Sequence, residues 1–121
     1  MPSPTNSYVR AKSPKTLPDV TYTGSADAID VSRGDVHVLN RTGGVNAATL
    51  AAPTANTDDG RVIWIVNGTT QANTIEVAGG LGGSGGSHDI ITFTNVVASN
   101  VTLRAYEGQW YLIGSYSASV A

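Results

Sequence analysis

The sequence predicts an all-β fold, an antiparallel jelly-roll-like β-sandwich preceded by an extended N-terminal arm, and three observations carry this reading. From Val20 onward, short runs rich in Val, Ile, Thr and aromatic residues alternate with clusters of Gly, Asn, Asp and Ser. The runs start about 8 to 16 residues apart, the spacing of a sandwich or barrel. No segment sustains apolar residues at i, i+3, i+4 and i+7, so no long helix is expected.

The expected strands are Val20–Thr23, Ala28–Val31, Val36–Leu39, Ala48–Ala51, Arg61–Val66, Thr74–Val77, Ile90–Thr94, Val101–Tyr106 and Trp110–Ser115. In the run RVIWIVN, Val62, Trp64 and Val66 share one face of an extended chain and Ile63 and Ile65 share the other. Both faces are apolar, which predicts a central strand covered on both sides, within the domain or at a subunit contact. In VTLRAY, Val101, Leu103 and Ala105 alternate with Thr102, Arg104 and Tyr106. Glu107, Gly108 and Gln109 then turn the chain into Trp110–Tyr111–Leu112–Ile113, the clearest hairpin signal present.

Residues 1–18 read differently. They hold four of the five prolines, and Tyr8, Val9 and Leu17 are among the few residues able to bury apolar surface. Such a segment cannot offset its own ordering entropy, so it reads as an extended arm ahead of a sandwich domain spanning residues 19–121. Charge divides at the same point. Three of the seven basic residues, Arg10, Lys12 and Lys15, precede the first acid, Asp19, which leaves four basic against nine acidic residues in the remainder. A basic arm thus precedes an acidic domain.

Several function classes are disfavoured. An acidic domain opposes nucleic acid binding, and three charges on an arm are too few for serious duplex affinity. No run approaches the ~20 apolar residues of a membrane helix, and the start lacks an apolar signal region, so synthesis in a cytoplasm is expected. The chain has no cysteine, which removes disulfides and thiolate chemistry. Asn40, Asn67 and Asn100 begin N-x-Thr triplets and read as turn residues.

The stretch GGLGGSGG, Gly79–Gly86, formally contains G-x-G-x-x-G. A dinucleotide fingerprint must open a helix, whereas the β-branched run Ile90–Ile91–Thr92–Phe93–Thr94 follows. The glycines read instead as a mobile loop joining two strands. His37 and His88 lack further ligands at metal-binding spacing. Asp27, Asp30 and Asp35 lack a D-x-D-x-D-G loop. Asp58–Asp59–Gly60 reads as a turn, and Arg33–Gly34–Asp35 as another between two strands. No G-x-S-x-G elbow is present. No catalytic residue, metal or cofactor is therefore expected.

The stretch from Asp59 to Gly114 reads D-G-R-V-I-W-I-V-N-G-T-T, N-T-I-E-V-A-G-G, a Gly-rich loop, and V-T-L-R-A-Y-E-G-Q-W-Y-L-I-G. It resembles a β-rich module of tailed-bacteriophage virion proteins, found in capsid decoration (cement) proteins and in tail-fibre tips. The resemblance covers about half of the chain, and its motifs are structural. It implies a homotrimer on the capsid exterior, made in the host bacterial cytoplasm, with the major capsid protein and copies of itself as partners. On this reading Tyr8, Val9, Arg10, Lys12, Lys15 and Leu17 form the capsid-binding arm. Val62, Trp64, Val66, Leu103, Trp110 and Leu112 belong to the core or the trimer contact. The alternative is a receptor-binding or adhesive fibre or head-fibre module.

Overall fold

The computed structural model describes residues 18–83 and 88–121. The arm residues Tyr8, Val9, Arg10, Lys12, Lys15 and Leu17 lie outside the described residues, as do the last three residues of the glycine run. Ten strands lie among the described residues: β1 Val20–Tyr22, β2 Ala28–Ile29, β3 Val36–Leu39, β4 Ala47–Leu50, β5 Val62–Asn67, β6 Thr74–Val77, β7 Ile90–Phe93, β8 Asn100–Tyr106, β9 Gln109–Tyr116 and β10 Ala118–Val120. A 3-10 turn, Val31–Arg33, follows β2, and its Ser32 N–H is capped by the Asp30 carboxylate. Nine of the strands fall where the β-branched runs place them. The tenth, β10, is missed because Ala-Ser-Val at the chain end carries little alternation.

The strands form two five-stranded sheets. Sheet A runs β1-β3-β5-β8-β9 and sheet B runs β10-β7-β6-β4-β2. Pairing is mixed, not antiparallel throughout as the sequence reading expects. β1, β3 and β5 pair parallel, as do β2, β4 and β6. β7 to β10 then pair antiparallel. Parallel neighbours need a crossover through another layer. Here each crossover is itself a strand of the facing sheet, so β1 to β6 wind as three successive coils, alternating A and B. Strand direction leaves no mark on a period-two pattern, which is why the sequence reading missed the winding.

One core fills the space between the sheets. Leu39, Ile63, Ile65, Val101, Leu103, Ala105 and Trp110 of sheet A meet Ala48, Leu50, Ile75, Val77, Ile91 and Phe93 of sheet B, all essentially without solvent contact. The Trp110 indole N–H crosses to the Ala51 carbonyl, 2.9 Å away, tying the start of β9 to the end of β4. The β8–β9 hairpin forms as expected. Glu107 and Gly108 sit at φ of 47° and 82° in a two-residue loop, the twist that matches flanking strands.

The coils are joined on one side by buried asparagines. Asn46, Asn67 and Asn73 have no exposed surface. Asn73 donates from Nδ2 to Asn67 Oδ1 at 2.7 Å, and its own Oδ1 accepts the Asn46 backbone N–H at 2.7 Å. Asn46 in turn donates from Nδ2 to the Asp27 carboxylate at 2.9 Å and accepts the Asp27 N–H at 3.2 Å. Asn67 completes the set by donating to the Gln71 carbonyl at 2.9 Å and to the Thr94 carbonyl at 3.3 Å. A carboxamide carries both donor and acceptor on a short stem, so it can pass a hydrogen bond from one turn to the next. Every A-to-B turn is thereby linked to the one beside it.

Asn73→Ala removes two of these bonds, leaving the Asn46 N–H buried without its acceptor and the Asn67 oxygen with only the longer Thr69 donors at 3.3 and 3.4 Å. The expected cost is about 2–4 kcal/mol of folding stability, measured by urea unfolding. Thr69→Ala, a half-buried position at the edge of the same network, is expected to cost less than about 1 kcal/mol.

Candidate functional site

Alternation along the strands gives each sheet an outer face, and the two differ. In sheet A, Val36 pairs with Trp64, Trp64 with Thr102, and Thr102 with Gly114. On the neighbouring outward row, Val38 pairs with Val66 and Val66 with Asn100. Val62 lies across from Arg104, which faces Tyr111. The centre of this face is therefore valine and tryptophan, with Arg104 as its charge. Val62 and Trp64 are 41% and 44% exposed. The doubly apolar pattern of β5 is thus only half absorbed: Ile63 and Ile65 enter the core, and Val62, Trp64 and Val66 look outward with no described element over them.

The six residues assigned to core or subunit contact divide accordingly. Leu103 and Trp110 are core. Val62, Trp64 and Val66 form the outer face of sheet A. Leu112 points to the core side but sits at the sandwich end, 36% exposed.

The outer face of sheet B carries small side chains, with Ala28 beside Thr49, Thr49 beside Glu76 and Ala47 beside Thr74. A shallow groove of about 480 Å³ runs along it past Ala28, Thr49, Glu76, Gly79 and Asp89.

The glycine run is partly built into the sandwich. Gly79, Gly80 and Gly83 have φ between 76° and 84°, the left-handed region that glycine enters without strain. Leu81 is buried, its N–H donates to His88 O, and Gly82 N–H donates to Trp110 O at 2.8 Å. A side chain at Gly82 would collide with the Tyr111 ring. The stretch from Gly79 to Gly83 is therefore a hydrogen-bonded corner and not a free connection.

Other candidate groups serve the fold. Asp27 closes a turn by accepting the Gly24 N–H, and Asp35 pairs with Arg61 at 3.1 Å. Arg61 also donates to the carbonyls of Val31 and Gly34, so it pins the Arg33–Gly34–Asp35 segment. Asp59 accepts from the Asn56 and Glu107 amides, which ties its turn to the β8–β9 hairpin. Among the described residues no three His, Cys, Asp or Glu side chains gather as metal ligands. No described helix is long and apolar enough to cross a membrane. Asn67 is fully buried, which rules it out as a glycan acceptor in the folded chain.

His37 is buried in a relay. Asp30 N–H donates to Tyr22 Oη, Tyr22 Oη donates to His37 Nδ1 at 2.9 Å, and His37 Nε2–H donates to Gly34 O at 2.9 Å. The rings of Tyr22 and His37 stack, 5.8 Å between centroids. This set of partners fits the neutral imidazole. Burial is the main force holding the His37 pKa below its ordinary value, and Arg61 adds to it against the opposing Gly34 hydrogen bond, Asp35 and Asp30.

Sequence reasoning missed the asparagine network and Arg61. One signal was available for the first. Asn40-Arg-Thr-Gly-Gly-Val-Asn46 and Asn67-Gly-Thr-Thr-Gln-Ala-Asn73 share the form N-x-T-x-x-x-N, each leading into a strand. A search of family models and of curated proteins found no match to the chain.

The folded state holds His37 neutral while the unfolded chain protonates near pH 6.5. The unfolded state then binds more protons below that pH. Stability should be full above about pH 6.5 and decline as pH falls below it, until the folded pKa is passed. His37→Gln should flatten this part of the profile, read as urea midpoints between pH 7.5 and 4.5.

Proposed function

We propose that this chain is a virion structural protein that binds the outside of a tailed-phage capsid as a homotrimer and stabilises it by bridging coat subunits. The observation that carries the reading is the uncovered apolar face of sheet A, centred on Trp64 and framed by Val36, Val38, Val62 and Val66. A face of this composition on a charge-poor chain favours association over solvation. Self-association through it places three basic arms on one particle. Each arm alone binds weakly. Three acting together bind at high effective concentration, which suits a clamp across coat subunits strained by packaged DNA. Arg10, Lys12 and Lys15 would meet an acidic coat surface, with Tyr8, Val9 and Leu17 as apolar anchors.

Capsids lacking the protein should bind it saturably in co-sedimentation, and a chain starting at Asp19 should lose that binding. Binding by neither form sinks the capsid reading and favours a host-facing module. Trp64→Ser should leave the unfolding midpoint within about 1 kcal/mol of the parent, because the side chain is half exposed. The same variant should dissociate the trimer in sedimentation equilibrium; an unchanged mass would remove this face as the contact.

A further inference from the structure

We infer that the free edge of β9 is a strand-addition surface, and that its occupant is β9 of a second copy, paired antiparallel about a two-fold axis through Gly114. β9 closes sheet A on one side and is eight residues long. The glycine corner covers only its beginning, where Leu81 bridges Trp110 and Gly82 donates to the Trp110 carbonyl. From Leu112 to Tyr116 no described strand lies beside it.

Proteins guard such an edge with Lys, Glu or Pro. This one carries none: after Glu107 the sequence contains no charged residue and no proline. The one edge-blunting device is a bulge opposite Thr102 and Leu103, which sets off Ile113 at 56% exposure. Among the described residues the sandwich is also open behind this edge. Between β9 and β10 lies a slot of about 440 Å³ lined by Leu81, Tyr111, Leu112 and Val120, with His88 at its rim. An added strand would extend the sheet and close this slot.

The choice of a second copy follows from charge and symmetry. A two-fold contact sets a surface against itself, so any charge near the axis meets its own mate. The sandwich domain has an excess of acids, and its opposite end carries Asp19, Asp27, Asp30 and Arg33 around β1 and β2. The β9 edge escapes that repulsion. Centred on Gly114, the pairing sets Ile113 against Ser115 twice, while the bulge leaves Leu112 on the core side of the joined sheet and Tyr116 on its outer side beside Asn100. No like charges oppose across the axis. The slots of the two copies would meet across the axis and bury each other's leucine and valine.

The inference stands apart from the capsid reading, since it uses the β9 edge and not the Trp64 face, so that Ile113→Lys and Trp64→Ser weaken different contacts. Gly114→Cys places the only thiol of the chain on the axis, where opposed residues of an antiparallel pair lie within disulfide reach. A side chain there meets only ordinary contact with Thr102. Oxidation should link Gly114→Cys chains into dimers at least about tenfold faster than Val45→Cys, an exposed position on the turn between β3 and β4. Ile113→Lys should raise the dissociation constant of the two-fold contact at least about tenfold in sedimentation equilibrium, with the unfolding midpoint unchanged. Equal cross-linking of the two cysteine variants, or self-association indifferent to Ile113→Lys, would overturn the inference.

Discussion

The fold depends on the buried amide chain that runs Asp27, Asn46, Asn73, Asn67. Coils stacked in parallel have few local contacts to set their register, because each strand's neighbours lie a full coil away in sequence. Hydrophobic side chains fill the interior, but they tolerate slippage between coils. A carboxamide that must donate on one side and accept on the other does not. Burial raises the stakes: an unpaired amide in the core costs more than a hydrogen bond there gains, so the network is satisfied as a whole or disrupted as a whole. Among the described residues no buried side-chain polar atom lacks a partner. The network therefore fixes where each A-to-B turn sits, and the turns fix which residues of sheets A and B face inward.

Much of this was legible in the sequence, and the limits have physical causes. Alternation placed β5 and β8 and named Ile63, Ile65, Leu103 and Ala105 as one-faced sets, because a half-buried strand must alternate. The Glu107–Gly108 turn was legible because positive φ at both positions favours glycine in the second. What alternation cannot show is direction. A parallel and an antiparallel strand bury the same set of side chains, so the domain read as antiparallel where β1 to β6 are coils with parallel neighbours. The repeated N-x-T-x-x-x-N was the trace of the winding, since the same turn recurs wherever the same crossover is made. Its first asparagines, Asn40 and Asn67, were read singly as turn residues, and Asn67 and the second asparagine of each motif prove to be interior. The glycine corner was read as mobile for a related reason: composition shows that left-handed backbone is permitted, not that Trp110 and Tyr111 hold it in place.

The outward half of β5 bears on function in a way the inward half does not. Trp64 at the centre of a valine-rich face is costly to leave in water, and no described element covers it. The other outer face, built of Ala and Thr around Glu76, has no such demand. A monomer could have carried polar residues at Val62, Trp64 and Val66 without disturbing Ile63 or Ile65, because the two sets point to opposite sides. That freedom makes the apolar face informative, because the interior does not require it.

The two ends of the coil stack are unlike for the same reason that the chain is charge-poor. Winding strands into stacked coils leaves an open edge on each sheet at either end, and such stacks need their ends capped or occupied. At the first end, Asp19, Asp27 and Asp30 stand beside β1 and β2, and their charge discourages like surfaces from stacking there. At the last end, antiparallel β7 to β10 turn the chain back on itself and shorten the sheet B edge to the three residues of β10. Sheet A is left with the long strand β9, uncharged along its length and backed by an unfilled apolar slot. Without cysteines to staple it, a domain of this size gains by burying such features against other chains. Charge thus sorts the ends, with acids where the stack begins and bare strand where it stops, so that apolar burial and freedom from self-repulsion coincide at β9.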